Sequence, residues 1–81
     1  MITQGKWLVS SSTIVCDEKA RIIANCCPVD VPGLDVTMAE AVGNARLIAG
    51  AKDLLDLARN IARGVDVDID SVKRLIKEID P

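Results

Sequence analysis

Asn44 and Arg46 are the residues of this 81-residue chain best suited to chemistry, because they set two polar side chains inside the run Asn44-Ala45-Arg46-Leu47-Ile48-Ala49. Asn offers a donor and an acceptor together, and Arg a planar fork matched to phosphate or carboxylate. With Lys52 and Arg59 further along the same helical pattern, they form a candidate rim for a small, nucleotide-like anion or a contact for a protein partner. An architectural account stands beside the functional one. In it, Asn44 satisfies backbone groups of the preceding loop or a sheet edge, and Arg46 braces the helix against a carboxylate such as Asp17 or Asp35. On a helical wheel Asn44 aligns with Ala51 and Ala58 at the edge of the apolar stripe. Arg46 falls with Asp53 and Asn60 on the polar side.

Catalysis finds little to work with. The chain has no His and no Tyr, and it lacks a nucleophile elbow and a phosphate-cradling glycine loop. No enzyme activity, metal or cofactor is expected. Cys16, Cys26 and Cys27 include no Cys-x-x-Cys spacing, so they read as small buried hydrophobes and not as zinc ligands. Asp66, Asp68 and Asp70 suit a helix cap or a weak divalent-cation contact, but the Gly and terminal Glu of an EF-hand loop are missing.

Half of the residues are hydrophobic (49%), yet Trp7 is the one aromatic, so the interior must be built from Ile, Leu, Val and Ala. A chain of this length sits near the lower limit for independent stability. Its aliphatic surplus predicts a homo-oligomer in which a partner subunit completes the core. Net charge is −2, and no basic tail or acidic run occurs. That balance and the single aromatic argue against nucleic acid. No apolar run approaches the roughly 20 residues of a membrane helix, and the start Met-Ile-Thr-Gln-Gly-Lys lacks a signal-peptide pattern. A cytoplasmic location follows as the expectation.

These residues need elements to hold them. Lys6–Ser10, Thr13–Cys16 and Arg21–Cys26 are short β-branched-rich runs, which predict a three-stranded antiparallel meander over about 5–27. Ser11-Ser12 and Asp17–Ala20 would be its turns. Pairing Cys16 with Arg21 would set Ile14 against Ile23 and Val15 against Ile22. A Pro-Gly-containing loop follows over 28–36. Thr37 and Glu40 then form a capping box, and apolar residues recur at helical spacing to about 63. Gly64 ends this helix, with Arg59 and Arg63 suiting its dipole.

Asp68 or Asp70 caps a second helix over about 70–79, in which Arg74 and Glu78 would pair. Its basic face holds Lys73, Arg74 and Lys77. Gly43 and Gly50 weaken the long helix unless a close neighbour or a kink accounts for them. The fold class is therefore α+β: one domain with a meander packed against a long helix, followed by a short C-terminal helix. Trp7 is expected in its core, anchoring the first strand against the long helix.

Gly5, Trp7, Ile14-Val15, Ile23-Ala24, Asn44 to Ala49 and Asp53-Leu54-Leu55 together resemble a family of small tailed-phage and prophage proteins. That family has a Gly-Pro-Trp start and an Asn-Ala-Arg-Leu-Ile-Ala helix motif. The resemblance spans residues 5–60. Lys6 stands where the family tends to have Pro, and Gly50-Ala51-Lys52 replaces Ala-Ala-Pro, which favours one continuous or merely kinked helix. The resemblance implies a non-catalytic accessory protein that binds a host factor, as inhibitors of bacterial defence systems do. Two alternatives accompany it: an oligomer that sequesters a nucleotide-like anion, and a minor structural phage protein.

Overall fold

A computed structural model describes residues 1–28, 33 and 35–81. It shows the expected α+β arrangement, a three-stranded antiparallel sheet of order β1-β2-β3 packed with a long helix and a short C-terminal one. The strands are β1 (Leu8–Ser11), β2 (Ile14–Cys16) and β3 (Ile22–Asn25), and the helices are α1 (Met38–Ala62) and α2 (Ile69–Ile79). The loop read at 28–36 lies mostly outside the described residues. No helix among the described residues is long and apolar enough to cross a membrane.

The turns depart from the sequence reading. Ser12 and Thr13, not Ser11-Ser12, join β1 to β2, and a bulge lies between Val9 and Ser11. At the second turn the Asp17 amide donates to the Arg21 carbonyl at 3.0 Å, and the Ala20 amide donates to the Asp17 carbonyl at 3.0 Å. Glu18, Lys19 and Ala20 thus form a three-residue loop, with Ala20 at φ 63 supplying its left-handed residue. Ile14 consequently faces Asn25, Val15 faces Ala24 and Cys16 faces Ile22, with the ladder shifting between Val15 and Cys16. The Ile14–Ile23 and Val15–Ile22 pairs are not formed. Ala20 carries none of the Gly or Asn signal that marks such turns.

The core is thinner than its aliphatic content implies. Among the described residues, Val15, Cys16, Ala41 and Ala45 are the buried apolar side chains, and Val15 is the largest that is fully enclosed. Cys26 is half-buried and Cys27 exposed, so only Cys16 behaves as the small hydrophobe expected of all three. Trp7 is half-buried and precedes β1. Its indole N–H donates to the Thr3 carbonyl at 3.1 Å. Placing Trp7 in the core is therefore corrected to a position at its margin, between the sheet and the helices.

Helix ends follow local chemistry closely. The Glu40 amide donates to Thr37 Oγ1 at 3.1 Å and the Thr37 amide to Glu40 Oε1 at 3.1 Å, which is the reciprocal cap. Past Ala62, the Gly64 amide reaches the Ile61 carbonyl and the Val65 amide the Asn60 carbonyl, completing a Schellman closure. Asp68, not Asp70, caps α2, accepting from the Asp70 amide and the Ser71 hydroxyl. Arg74 donates to Ser71 Oγ at 3.3 Å, in place of the expected ion pair with Glu78.

α1 runs unbroken through both of its glycines, and the two differ in kind. A Cβ on Gly50 would lie 2.5 Å from Ile79 Cγ1 and Cδ1, whereas one on Gly43 would meet nothing within 4 Å. α2, and not a strand, is thus the close neighbour. Gly43→Ala is expected to raise the unfolding free energy by about 1 kcal/mol through helix propensity alone. A raised urea midpoint measures it, and an unchanged or lowered midpoint contradicts the open surroundings of Gly43.

Candidate functional site

Arg46 lines a cleft where β1, α1 and α2 meet, with Lys6, Trp7 and Val9 on one wall and Asp53, Leu75, Glu78 and Ile79 around it. Trp7, just before β1, and Val9 within it both line this cleft. Gly50, beneath Ile79, sets the approach of the second helix. The cavity holds about 100 Å³, below the roughly 300 Å³ at which small-molecule pockets begin. Its charges also balance, because Lys6 and Arg46 are matched by Asp53 and Glu78. An anion entering it would meet two carboxylates as well as two cations.

The other three candidates lie elsewhere. Asn44 is exposed and outside this cleft, so it does not bond the sheet edge as the architectural account supposed. Lys52 Nζ donates to the Gly5 carbonyl at 2.6 Å, which ties the start of the chain to the middle of α1. Gly5 takes φ 85, and Glu18 Oε1 accepts from the adjacent Lys6 amide at 2.9 Å. An L side chain is strained at that φ. Gly5, Lys52 and Glu18 therefore act as a structural clasp. Arg59 lies 4.0 Å from Asp56, both exposed, a pair of little energetic weight. The four residues do not converge on one site.

Asp17, a closely hydrogen-bonded side chain, is one that the sequence reading did not single out in its own right. Asp17, almost fully buried, accepts at Oδ1 from the Lys19 and Arg21 amides and at Oδ2 from Arg21 Nε, at 2.9, 2.9 and 2.7 Å. Arg46 does not brace against it. An Asp opening a tight turn was the available signal. The Arg21 amide, foremost among these donors, holds the Asp17 carboxyl below the ordinary aspartate range against the opposing effect of burial. The Thr37 amide does the same for Glu40.

Both carboxylates therefore stabilise the fold fully above about pH 5, and that contribution is lost as pH falls from their ordinary values through their lowered folded-state ones. Asp17→Asn should weaken the protein at pH 7 and flatten the acid limb of its stability profile. Urea midpoints from pH 7 to pH 3 measure this, and a parallel profile in the variant would refute the role of Asp17.

Among the described residues, no three His, Cys, Asp or Glu side chains come together as a metal-holding group. Asp68 serves as a helix cap. No family model, curated protein or solved structure matches the chain.

The larger chemical feature is apolar. Leu8, Cys16 and Ile22 form one cross-strand row, alternating with the row of Val9, Val15 and Ala24 that turns toward α1. Leu8 and Ile22 are exposed, Ile22 at 69%. β1 is an edge strand, and all four of its residues are exposed. An edge of this kind presents unpaired backbone N–H and C=O groups beside an aliphatic row.

Proposed function

We propose that this chain is a non-catalytic accessory protein of the phage or prophage type, which binds a host protein through the β1 edge and the exposed Leu8 on it, with Ile22 of β3 two strands away on the same face. The single observation carrying the reading is that edge strand with Leu8 exposed on it, and Ile22 exposed across the buried Cys16. An extended segment of a partner adds to such an edge through main-chain hydrogen bonds, while the side-chain row supplies selectivity. The motif residues Gly5, Trp7 and Asn44 to Ala49 support the origin. The small, charge-balanced cleft favours a protein target over a sequestered anion, and inhibition of a bacterial defence system is the role in which a small binder of this kind fits.

Capture from a bacterial lysate tests the reading, with bound species identified by mass. One defined host protein should be retained by the wild type, lost with Leu8→Lys and Ile22→Lys, and kept with Lys73→Glu on the basic face of α2. Circular dichroism should report all three variants folded. Retention of a small molecule that is lost with Arg46→Ala, without any host protein, would instead favour the sequestering alternative.

A further inference from the structure

The uncharged face of α1 points to a second copy of this chain, and we propose that the protein is a two-fold homodimer whose α1 helices pack antiparallel. This interface is independent of the host-binding edge. From Asn44 onward, the charged residues of α1 are Arg46, Lys52, Asp53, Asp56 and Arg59. At 3.6 residues per turn they crowd into about 140° of the wheel, leaving about 220° without charge. One border of that arc is covered where Ile79 sits on Gly50. The remainder carries Asn44, Leu47, Ala51, Leu54, Ala58 and Ile61, spaced alternately by three and four residues. That is the seam pattern of a helix packed lengthwise against another helix.

Exposure matches the pattern. Leu47 and Ile61, towards the two ends of the seam, are 51% and 60% exposed, and the central Ala51 and Leu54 are half-buried. α2 extends the same face. Its Leu75 and Ile79 turn to the cleft, while Ile69 and Ile76, seven apart on the other flank, are 64% and 55% exposed. Leu47 and Asp80 line one hollow with Gly43 and Ile79, which places the C-terminal end of α2 beside the seam.

The surface area is of the right size for such an interface. The chain exposes 6031 Å², against the about 4,700 Å² expected of a folded monomer of 8.7 kDa. The surplus of roughly 1,300 Å² is spread over the whole chain, which leaves room for the about 800 Å² that each partner contributes to a standard interface. The radius of gyration agrees, at 14.4 Å where about 12 Å is usual for this length.

Side-chain size selects the antiparallel arrangement. A two-fold axis between Ala51 and Leu54 sets Leu47 against Ala58 of the other copy and Ala51 against Leu54, so large meets small in the central layers, and Asn44 against Ile61 at the ends. A parallel pair would stack Leu on Leu and Ala on Ala, leaving voids at the Ala layers. Antiparallel helix dipoles also oppose favourably. Asn44 then falls at the end of the seam, near solvent.

Light scattering at tens of micromolar protein, with reductant, is expected to give twice 8.7 kDa. Leu47→Lys and Ala58→Lys, at positions exposed in the single chain, should each give 8.7 kDa with unchanged helicity. A wild-type monomer, a larger assembly, or a dimer that survives both substitutions overturns the proposal. Orientation is tested with Cys26 and Cys27 replaced by Ser. Leu47→Cys combined with Ala58→Cys should oxidise to a linked dimer while Ala58→Cys alone stays unlinked, and ready linking of Ala58→Cys alone would refute the antiparallel pairing.

Discussion

Trp7→Ala is expected to lower the unfolding free energy by about 2 kcal/mol, a large share of the stability of a chain this short. Full truncation of a buried aromatic costs about 3–5 kcal/mol, and the lower figure reflects half-burial of the indole. The ring fills the wall of the cleft shared with Arg46, Gly50, Leu75 and Ile79. Its loss would enlarge that cavity and leave the Thr3 carbonyl without its indole donor. Trp7→Phe should recover more than half of the loss, because packing outweighs one partly exposed hydrogen bond. Urea titration followed by far-ultraviolet circular dichroism checks both variants, since Trp7 is itself the natural fluorophore. An unchanged midpoint for Trp7→Ala would show that the indole does not pack in the cleft.

Gly50→Leu should be comparably damaging, at about 2 kcal/mol, through overpacking. The first added carbon already meets Ile79 at 2.5 Å, and the rest of the side chain cannot be placed without moving α2. Gly50→Ala divides the effect in an informative way. It gains about 1 kcal/mol of helix propensity and loses a similar amount by displacing Ile79, so its midpoint should barely move. In an Ile79→Ala background the space is clear, and Gly50→Ala should then stabilise by about 1 kcal/mol. A strictly additive cycle would contradict the contact.

These two sites also mark how far the sequence was readable. Thr37, Glu40 and Gly64 declared the ends of α1 because capping is decided within a few residues of chain. The fold class followed from the change of period between the β-branched runs and the long aliphatic stripe. Gly50 announced that something approaches α1 closely, but which element does so depends on how α2 returns, and spacing does not encode that. The β2–β3 register was misread because Ala20 adopts a left-handed conformation without the customary residue, held there by the hydrogen bonds around Asp17.

Lys52 was legible as a cation and illegible as a clasp, because its acceptor at Gly5 lies 47 residues away. The candidate rim did not form for a geometric reason. Asn44 and Arg46 are two residues apart, so a helix turns them about 200° from each other, and Lys52 and Arg59 point elsewhere again.

The clasp and the two tight turns carry a consequence for the order in which the molecule assembles. Strand partners lie close along the chain, the widest pairing being Ile14 with Asn25, and α2 returns onto α1 through the short turn after Gly64. Each half can thus form from near neighbours, in the regime where low contact order gives fast folding. The longer-range closures come after, first the seam of α1 on the sheet over Val15, Ala41 and Ala45, latched by Lys52, and then α2 against Gly50 and Trp7. Substitutions at that seam should slow folding, whereas those at Gly50 or Ile79 should chiefly hasten unfolding.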